Sequence, residues 1–314
     1  MFCTTIIATI GRDILARAVN SVLDQSFREA DFEVIVVNDS GKPLPIEPWQ
    51  KSDKVTIVQT QRRERCVAWN TGAAIAKGRY LNILDDDDWL YPNALKIFWE
   101  LARQYPDSDW IYGGAQFVDR EDKPIIKFRP NFNGNIFVQA MAGEWIPTQI
   151  SLIKTEAFFA VDGFPPTRVN PEDKYLLRRI ALVCPINGTS ELVVCVRRGA
   201  EGSHTHMERV VAESRFLREI VLDQEDVILR LHDSAKEPFW KGKFTRVYLT
   251  SGIWNIQHRL IFKSLSRFLW GLLSILMAGA NILSKEYWKA LLTPLQGRTY
   301  AREISEKKGI NNKS

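Results

Sequence analysis

Four short runs rich in β-forming residues recur in the first 84 positions, at residues 4–8, 33–37, 55–59 and 80–84. Each ends at a turn or helix signal. Gly11 closes the first, and residues 12–25 then place Ile14, Leu15, Ala18, Val19, Val22 and Leu23 at helical spacing along one apolar face. Asn38-Asp39-Ser40-Gly41-Lys42-Pro43 closes the second. A small-residue helix is expected over residues 70–77, stopped by Gly78. Strand and helix therefore alternate. That order predicts an α/β fold, a mostly parallel, Rossmann-like sheet with helices on both faces. In such sheets ligands bind beyond the carboxyl ends of the strands.

The fourth run ends in an unusual way. Four aspartates, Asp85 to Asp88, follow the apolar strand directly, and Trp89, Leu90, Tyr91 and Pro92 come next. Carboxylates ~4–7 Å apart repel by on the order of 1 kcal/mol per close pair near a surface. A compensating cation is expected there. A hard divalent ion such as Mg²⁺ or Mn²⁺ takes oxygen ligands and is commonly shared with substrate phosphates. The competing reading is a solvated acidic turn, with Asp88 capping a helix that starts near Pro92.

Composition narrows the function classes. With 314 residues, 45% hydrophobic and 25% charged, the chain reads as globular, of one or two domains. A net charge of +5, with no basic–aromatic interleaving, gives no reason to expect nucleic acid as a partner. Cys3, Cys66, Cys184 and Cys195 show no metal-type spacing and are expected as free thiols in a reducing compartment, hence a cytoplasmic protein. No secretory signal is apparent at the N-terminus. No GxGxxG follows the first strand, which disfavours a dehydrogenase.

Six motifs occur in order: Ala8-Thr9-Ile10-Gly11-Arg12, Val36-Val37-Asn38-Asp39-Ser40, Arg65 to Asn70 with Gly72, Leu84 through Trp89, Val161-Asp162-Gly163-Phe164, and Glu172-Asp173. In this set the chain resembles family 2 glycosyltransferases of GT-A fold, over roughly residues 3–222. The resemblance implies a nucleotide-sugar donor, a UDP-sugar first, and transfer with inversion to a glycan or lipid-linked oligosaccharide acceptor in surface polysaccharide synthesis. Asp85-x-Asp87 resembles the DxD motif, with Asp87 as metal ligand and Asp85 toward the ribose or a metal-bound water. Asp86 and Asp88 stay open as alternatives. Asp39 resembles the base-recognising aspartate. Thr9, Arg12, Arg65 and Asp86 are expected at the nucleotide sugar. Asn70 and Gly72 are expected to serve close packing.

At the acceptor side, Glu172-Asp173 resembles the family's acidic pair, with Asp173 as general base and Glu172 assisting. Trp145 and Gln149 are expected at the acceptor. His204 and His206, in a Gly-rich basic stretch, resemble a loop that closes over the diphosphate, one histidine serving as a third metal ligand. A catalytically silent sugar-binding or membrane-scaffold relative is the alternative to an enzyme.

Residues 223–314 fall outside the resemblance and read as a basic helical segment. Residues 268–283 carry no charge, but the run is short of the roughly 20 residues of a span. Arg259, Lys263, Arg267, Lys285 and Lys289 flank it. That pattern suits a peripheral contact through residues 259–289 with the inner face of the plasma membrane; a core helix of a bundle is the other reading.

Overall fold

In the computed structural model the described residues are 1–61, 64–165, 172–199 and 207–295, without the side chains of 207–211. The chain divides into two compact units. One comprises Met1–Gly134, Ile146–Leu176 and Cys184–Val210; the other comprises Asn135–Trp145, Leu177–Val183 and Val211–Ser314, whose described part ends at residue 295.

The first unit is built on one sheet. Its elements begin with β1 (Cys3–Thr9), α1 (Leu15–Leu23), β2 (Phe32–Asn38), β3 (Val55–Gln59), α2 (Arg65–Ile75), β4 (Tyr80–Asp85), β5 (Trp89–Leu90) and α3 (Ala94–Gln104). β6 (Trp110–Val118) and β7 (Pro124–Phe128) follow. The four expected strands pair in parallel in the order β3-β2-β1-β4, with Cys3 opposite both Phe32 and Tyr80. β1, β2 and β4 are buried almost throughout, which is why their sequences read as continuous apolar runs. Beyond β4 the sheet turns mixed. β8 (Ser151–Lys154) runs antiparallel to β4 and β6, and β9 (Ile186–Arg197) runs parallel to β6 and antiparallel to β5.

Several boundaries differ from the pattern. α1 starts at Leu15, because Gly11 takes φ 85° and its N–H donates to Thr9 Oγ1 at 2.9 Å, a turn that delays the helix. α2 starts at Arg65, five residues earlier than the small-residue signal. Glu64 caps it, accepting from the N–H groups of Cys66 and Val67 at 3.0 and 3.3 Å. β9 begins at Ile186, its polar first half held by backbone pairing along β6. Asp88 does not cap a helix. α3 begins at Ala94 after Asn93, and the Asp88 Oδ1 instead accepts from the Arg197 N–H at 2.9 Å.

Two of the motifs are packing devices. A Cβ on Gly72 would lie 2.5 Å from Ile6 Cγ2, so glycine lets α2 sit directly on β1. Asn70 clamps Phe164: its Nδ2 donates to the Phe164 carbonyl at 2.9 Å, and its Oδ1 accepts the Phe164 N–H at 3.1 Å. Gly163 makes the turn after α5 (Thr155–Ala160) with φ 62°.

The second unit is helical: α4 (Phe137–Ala142), the later part of α6 (Glu172–Val183), α7 (Met207–Leu222), α8 (Val227–Ser234), α9 (Pro238–Gln257), α10 (Ile261–Ala278) and α11 (Lys285–Leu292). Buried Arg178 ties its early segments in, donating to the carbonyls of Ala140 and Ser214 at 3.2 and 2.9 Å. The apolar run expected as one helix over 268–283 is α10 through Ala278, then a 3₁₀ turn over Gly279–Leu283. Gly242, Gly252 and Gly271 allow α9 to pack against α11 and α10; a Cβ on Gly242 would meet the Tyr287 carbonyl oxygen at 2.3 Å.

Candidate active site

The carboxyl ends of β1, β2 and β4 gather most of the residues singled out in the sequence. Thr9 closes β1, Asn38 and Asp39 close β2, and the aspartate run begins on the last residue of β4. The Asp39 N–H donates to the Thr9 carbonyl at 2.8 Å, so the first two ends are bonded together. The turn after β2 is made by Asn38, not Asp39. Asn38 accepts from the Ser40 N–H and donates to the Lys42 carbonyl. The buried Asp39 carboxylate accepts the Thr60 hydroxyl at 2.6 Å.

The four aspartates separate into two kinds. Asp86 turns back to β1: it accepts the Thr9 hydroxyl at 2.6 Å and the Arg12 guanidinium at 2.5 Å. Thr9 and Arg12 thus bond to Asp86. Burial lifts the Asp86 carboxyl above its ordinary range, opposed by Thr9 and Arg12. Asp85, Asp87 and Asp88 converge instead, with one oxygen of each within 4.8 Å of the others. A tight turn does this, the Asp88 N–H donating to the Asp85 carbonyl at 3.1 Å. Burial, then the Asp85 charge, raises Asp87 to about 6. Burial raises Asp88 well above the carboxylate range, with Asp85 and Asp87 adding to it.

The donor set fits a divalent cation. Asp88 Oδ2 is buried and has no hydrogen-bond partner, although Oδ1 is satisfied by Arg197. A buried oxygen without a partner, on a carboxylate that lies beside two others, is costly unless a cation joins them. Three hard oxygen donors suit Mg²⁺ or Mn²⁺, with remaining positions left for water and phosphate. His204 and His206, expected as a further ligand, lie outside the described residues.

Three contacts around this cluster join residues far apart in sequence, and no local pattern signals them. Gln149 Nε2 donates to Asp85 Oδ2 at 2.7 Å, which places this expected acceptor residue on the aspartate run itself. The Arg197 backbone holds Asp88 from the end of β9. Trp89 lies under the Arg17 guanidinium, 3.3 Å from the ring centroid, with Arg197 5.7 Å away, and Asp122 pairs with both arginines.

The acidic pair opens α6. Buried Glu172 binds Arg65 Nη2 through both oxygens, at 2.8 and 2.9 Å. Burial pushes its carboxyl up to about 7, against the pull of Arg65 and with help from Asp173. Burial works against the Arg65 charge, but Glu172 and then Asp85 outweigh it, so Arg65 stands electrostatically between the acidic pair and the aspartate run. Asp173 is half-buried and accepts the Lys174 N–H at 2.7 Å. Trp145 is half-buried and belongs to the second compact unit.

A model of glycosyl transferase family 2 matches residues 4–175, more than half of the chain. The chain belongs to that family. An uncharacterized glycosyltransferase of Rickettsia bellii is 26% identical over 239 residues, covering 72% of this chain and 34% of that protein. The poly(ribitol-phosphate) beta-N-acetylglucosaminyltransferase TarP of Staphylococcus aureus is 30% identical over 104 residues, 32% of each chain. The crystal structure of S. aureus TarS 1–349 superimposes with a TM-score of 0.58 at 14% identity, covering 85% of this chain and 90% of that one. That likeness shows the fold, which is GT-A with a helical C-terminal region. The chain spans little more than a third of the length of the curated relatives it matches, 34% and 39% for two from Rickettsia.

Proposed function

We propose that the chain is a metal-dependent, inverting glycosyltransferase that moves a sugar from a UDP-sugar to a glycan or lipid-linked oligosaccharide at the inner face of the plasma membrane. Residues 1–222 carry the chemistry in this reading, and residues 223–314 form the accessory helical segment. The observation that carries it is the convergence of Asp85, Asp87 and Asp88 at the end of β4, one Asp88 oxygen being buried without a hydrogen-bond partner. Two likenesses favour a uridine nucleotide and a surface glycan. TarS of S. aureus has been crystallised with UDP-GlcNAc, a structure that matches this chain with a TM-score of 0.57, and TarP is named for transfer to poly(ribitol-phosphate).

Asp87 and Asp88 hold the ion in this reading, and Gln149 keeps Asp85 turned to the same place. When bound, the ion supplies charge neutralisation for the diphosphate as it departs. Asp39 accepts the N3–H of uracil, while Thr9, Arg12 and Asp86 brace the end of β1 beside it. Asp173 takes the proton of the acceptor hydroxyl. The acceptor oxygen bonds to the anomeric carbon as the bond from that carbon to the phosphate oxygen breaks, and UDP leaves. Glu172, fixed by Arg65, positions the acceptor next to Asp173.

Calorimetric titration with UDP, GDP and dTDP, each with Mn²⁺ and with EDTA, tests the donor site. UDP binding that disappears with EDTA and in Asp87→Ala is expected. Binding of the same strength in EDTA would return the aspartates to a structural role.

A further inference from the structure

Helix α10 is built inside out for a helix in water. At about 100° per residue, Ser264, Arg267, Gly271, Ser274 and Ala278 fall on one face, and these are its buried residues. The opposite half is exposed and carries Phe262, Leu265, Leu269, Leu272 and Leu276, with Trp270 at its edge. Ser266 is the one polar side chain in that half. Phe262 is 90% and Leu276 75% exposed. Leu283 and Leu292, in the segments that follow, are 86% and 73% exposed as well. An uncovered patch of this kind in a single helical unit marks a surface that something apolar covers.

Charge says what covers it. Residues 238–295 hold eight Lys or Arg and a single acidic residue, Glu286. Arg259, just before α10, and Lys285 and Lys289, on α11, are exposed. A second copy of the chain on this face would bring two strongly basic flanks together. An anionic bilayer offers acyl chains to the leucine stripe and headgroups to the lysines at once.

We infer that α10 lies in the plane of an anionic membrane surface, its exposed half among the outer acyl chains and its polar half docked on its own helical unit. The buried face argues against a span, although α10 is long and apolar enough for one by composition. Arg267 donates to the Leu222 carbonyl at 3.0 Å and to Asp223 at 2.5 Å, and pairs with buried Glu219. Glu219 in turn accepts from Ser251 and Asn255 of α9 at 2.6 and 3.0 Å. Crossing the bilayer would pull Arg267 off these partners into hydrocarbon and leave the Glu219 charge buried alone. Trp270 at the stripe edge suits the headgroup level. This inference supplies the contact behind the membrane location proposed above, and its test does not depend on donor binding.

The full chain is floated with vesicles of phosphatidylcholine, with and without phosphatidylglycerol. Binding to the anionic vesicles is expected, weakened by salt and released by alkaline carbonate. The exposed-stripe variant Leu269→Glu/Leu272→Glu is expected to lose roughly tenfold or more of the vesicle affinity, and Lys285→Glu/Lys289→Glu to lose the salt-dependent part. The circular dichroism spectrum and melting temperature of these variants serve as the folding control and are expected to match the wild type. Absence of vesicle binding, or binding that the stripe variant retains, overturns the inference. Resistance to carbonate would mean a span. A dimer dissociated by the stripe variant, without vesicle affinity, would mean that a second copy covers the face. Loss of UDP binding in the wild type, with vesicle binding intact, would instead count against the donor reading.

Discussion

Asp88 and Glu172 are the two carboxylates on which single-residue chemistry is easiest to test. Asp88→Asn keeps an oxygen to accept the Arg197 N–H but replaces the orphaned oxygen with an NH2 group, which cannot ligate a cation. Its Mn²⁺-dependent UDP affinity should fall by roughly 10–100-fold, the scale of losing a metal-site contact, with an unchanged circular dichroism spectrum; equal affinity would remove Asp88 from the ligand set. Glu172 titrates in the folded state at about 7 instead of its ordinary 4.5, because burial outweighs Arg65. A carboxyl whose folded pKa is raised contributes stability that is fully present below about pH 4.5 and lost as pH rises through about 7. At about 1.4 kcal/mol per pKa unit the contribution is at most about 3 kcal/mol. Urea denaturation of metal-free protein between pH 4.5 and 8 should show a falling stability whose slope Glu172→Gln reduces by about one proton's worth; parallel curves would place the Glu172 pKa near its ordinary value. Both residues stood out in the sequence by type and motif. Their partners did not: Arg197 lies 109 positions from Asp88 and Arg65 lies 107 from Glu172. Periodicity carries no information about pairs that only a closed sheet brings together.

At the scale of elements, β1, β2 and β4 were legible because each is buried on both faces and so reads as an unbroken apolar run between turn signals; β3 is largely exposed and was legible from its β-branched residues alone. The mixed half beyond β4 was legible only in part. β8 is four residues long, and the first half of β9 is polar, since backbone pairing to β6 rather than burial of side chains holds it. The start of α2 was hidden for a related reason, as Glu64 within a charged cluster looks like loop until its carboxylate is seen capping the helix. Gly72 was read correctly as a packing residue, and it gives the element-scale prediction. In Gly72→Ala the new methyl lands 2.5 Å from Ile6 Cγ2 and 3.2 Å from Val37 Cγ2, on two buried strands. Overpacking of this kind costs about 1–3 kcal/mol. The urea midpoint should drop accordingly, while the midpoint of Gly41→Ala, whose Cβ meets nothing within 4 Å, should shift only by the cost of a φ of 73°. A Gly72→Ala protein as stable as wild type would mean that α2 stands off β1 in solution.

For the whole molecule the site is a keystone, in that its parts come from segments that only the folded chain brings together. Thr9, Asp39, Asp85 to Asp88, Gln149, Glu172 and Arg197 span nearly 190 positions, and their contacts run from the end of β1 to the end of β9. Unfolding separates the aspartate run from Gln149 and Arg197 and returns its carboxylates to water, where they bind a cation weakly. A ligand that binds the folded chain and not the unfolded one stabilises it by mass action, by about 2.7 kcal/mol at a hundred times its dissociation constant. Mn²⁺ with UDP, added at that excess, should therefore raise the melting temperature by roughly 4 °C for a protein of this size. The increment should need both additions, because the cation brings phosphate oxygens to a cluster that supplies only three carboxylates. Differential scanning calorimetry of the wild type and Asp87→Ala, each with Mn²⁺ alone, UDP alone and the two together, separates the cases. A shift with UDP alone of the same size as with both would mean that the nucleotide is held by protein groups without a cation. A shift with Mn²⁺ and UDP that persists in Asp87→Ala would move the cation away from the end of β4.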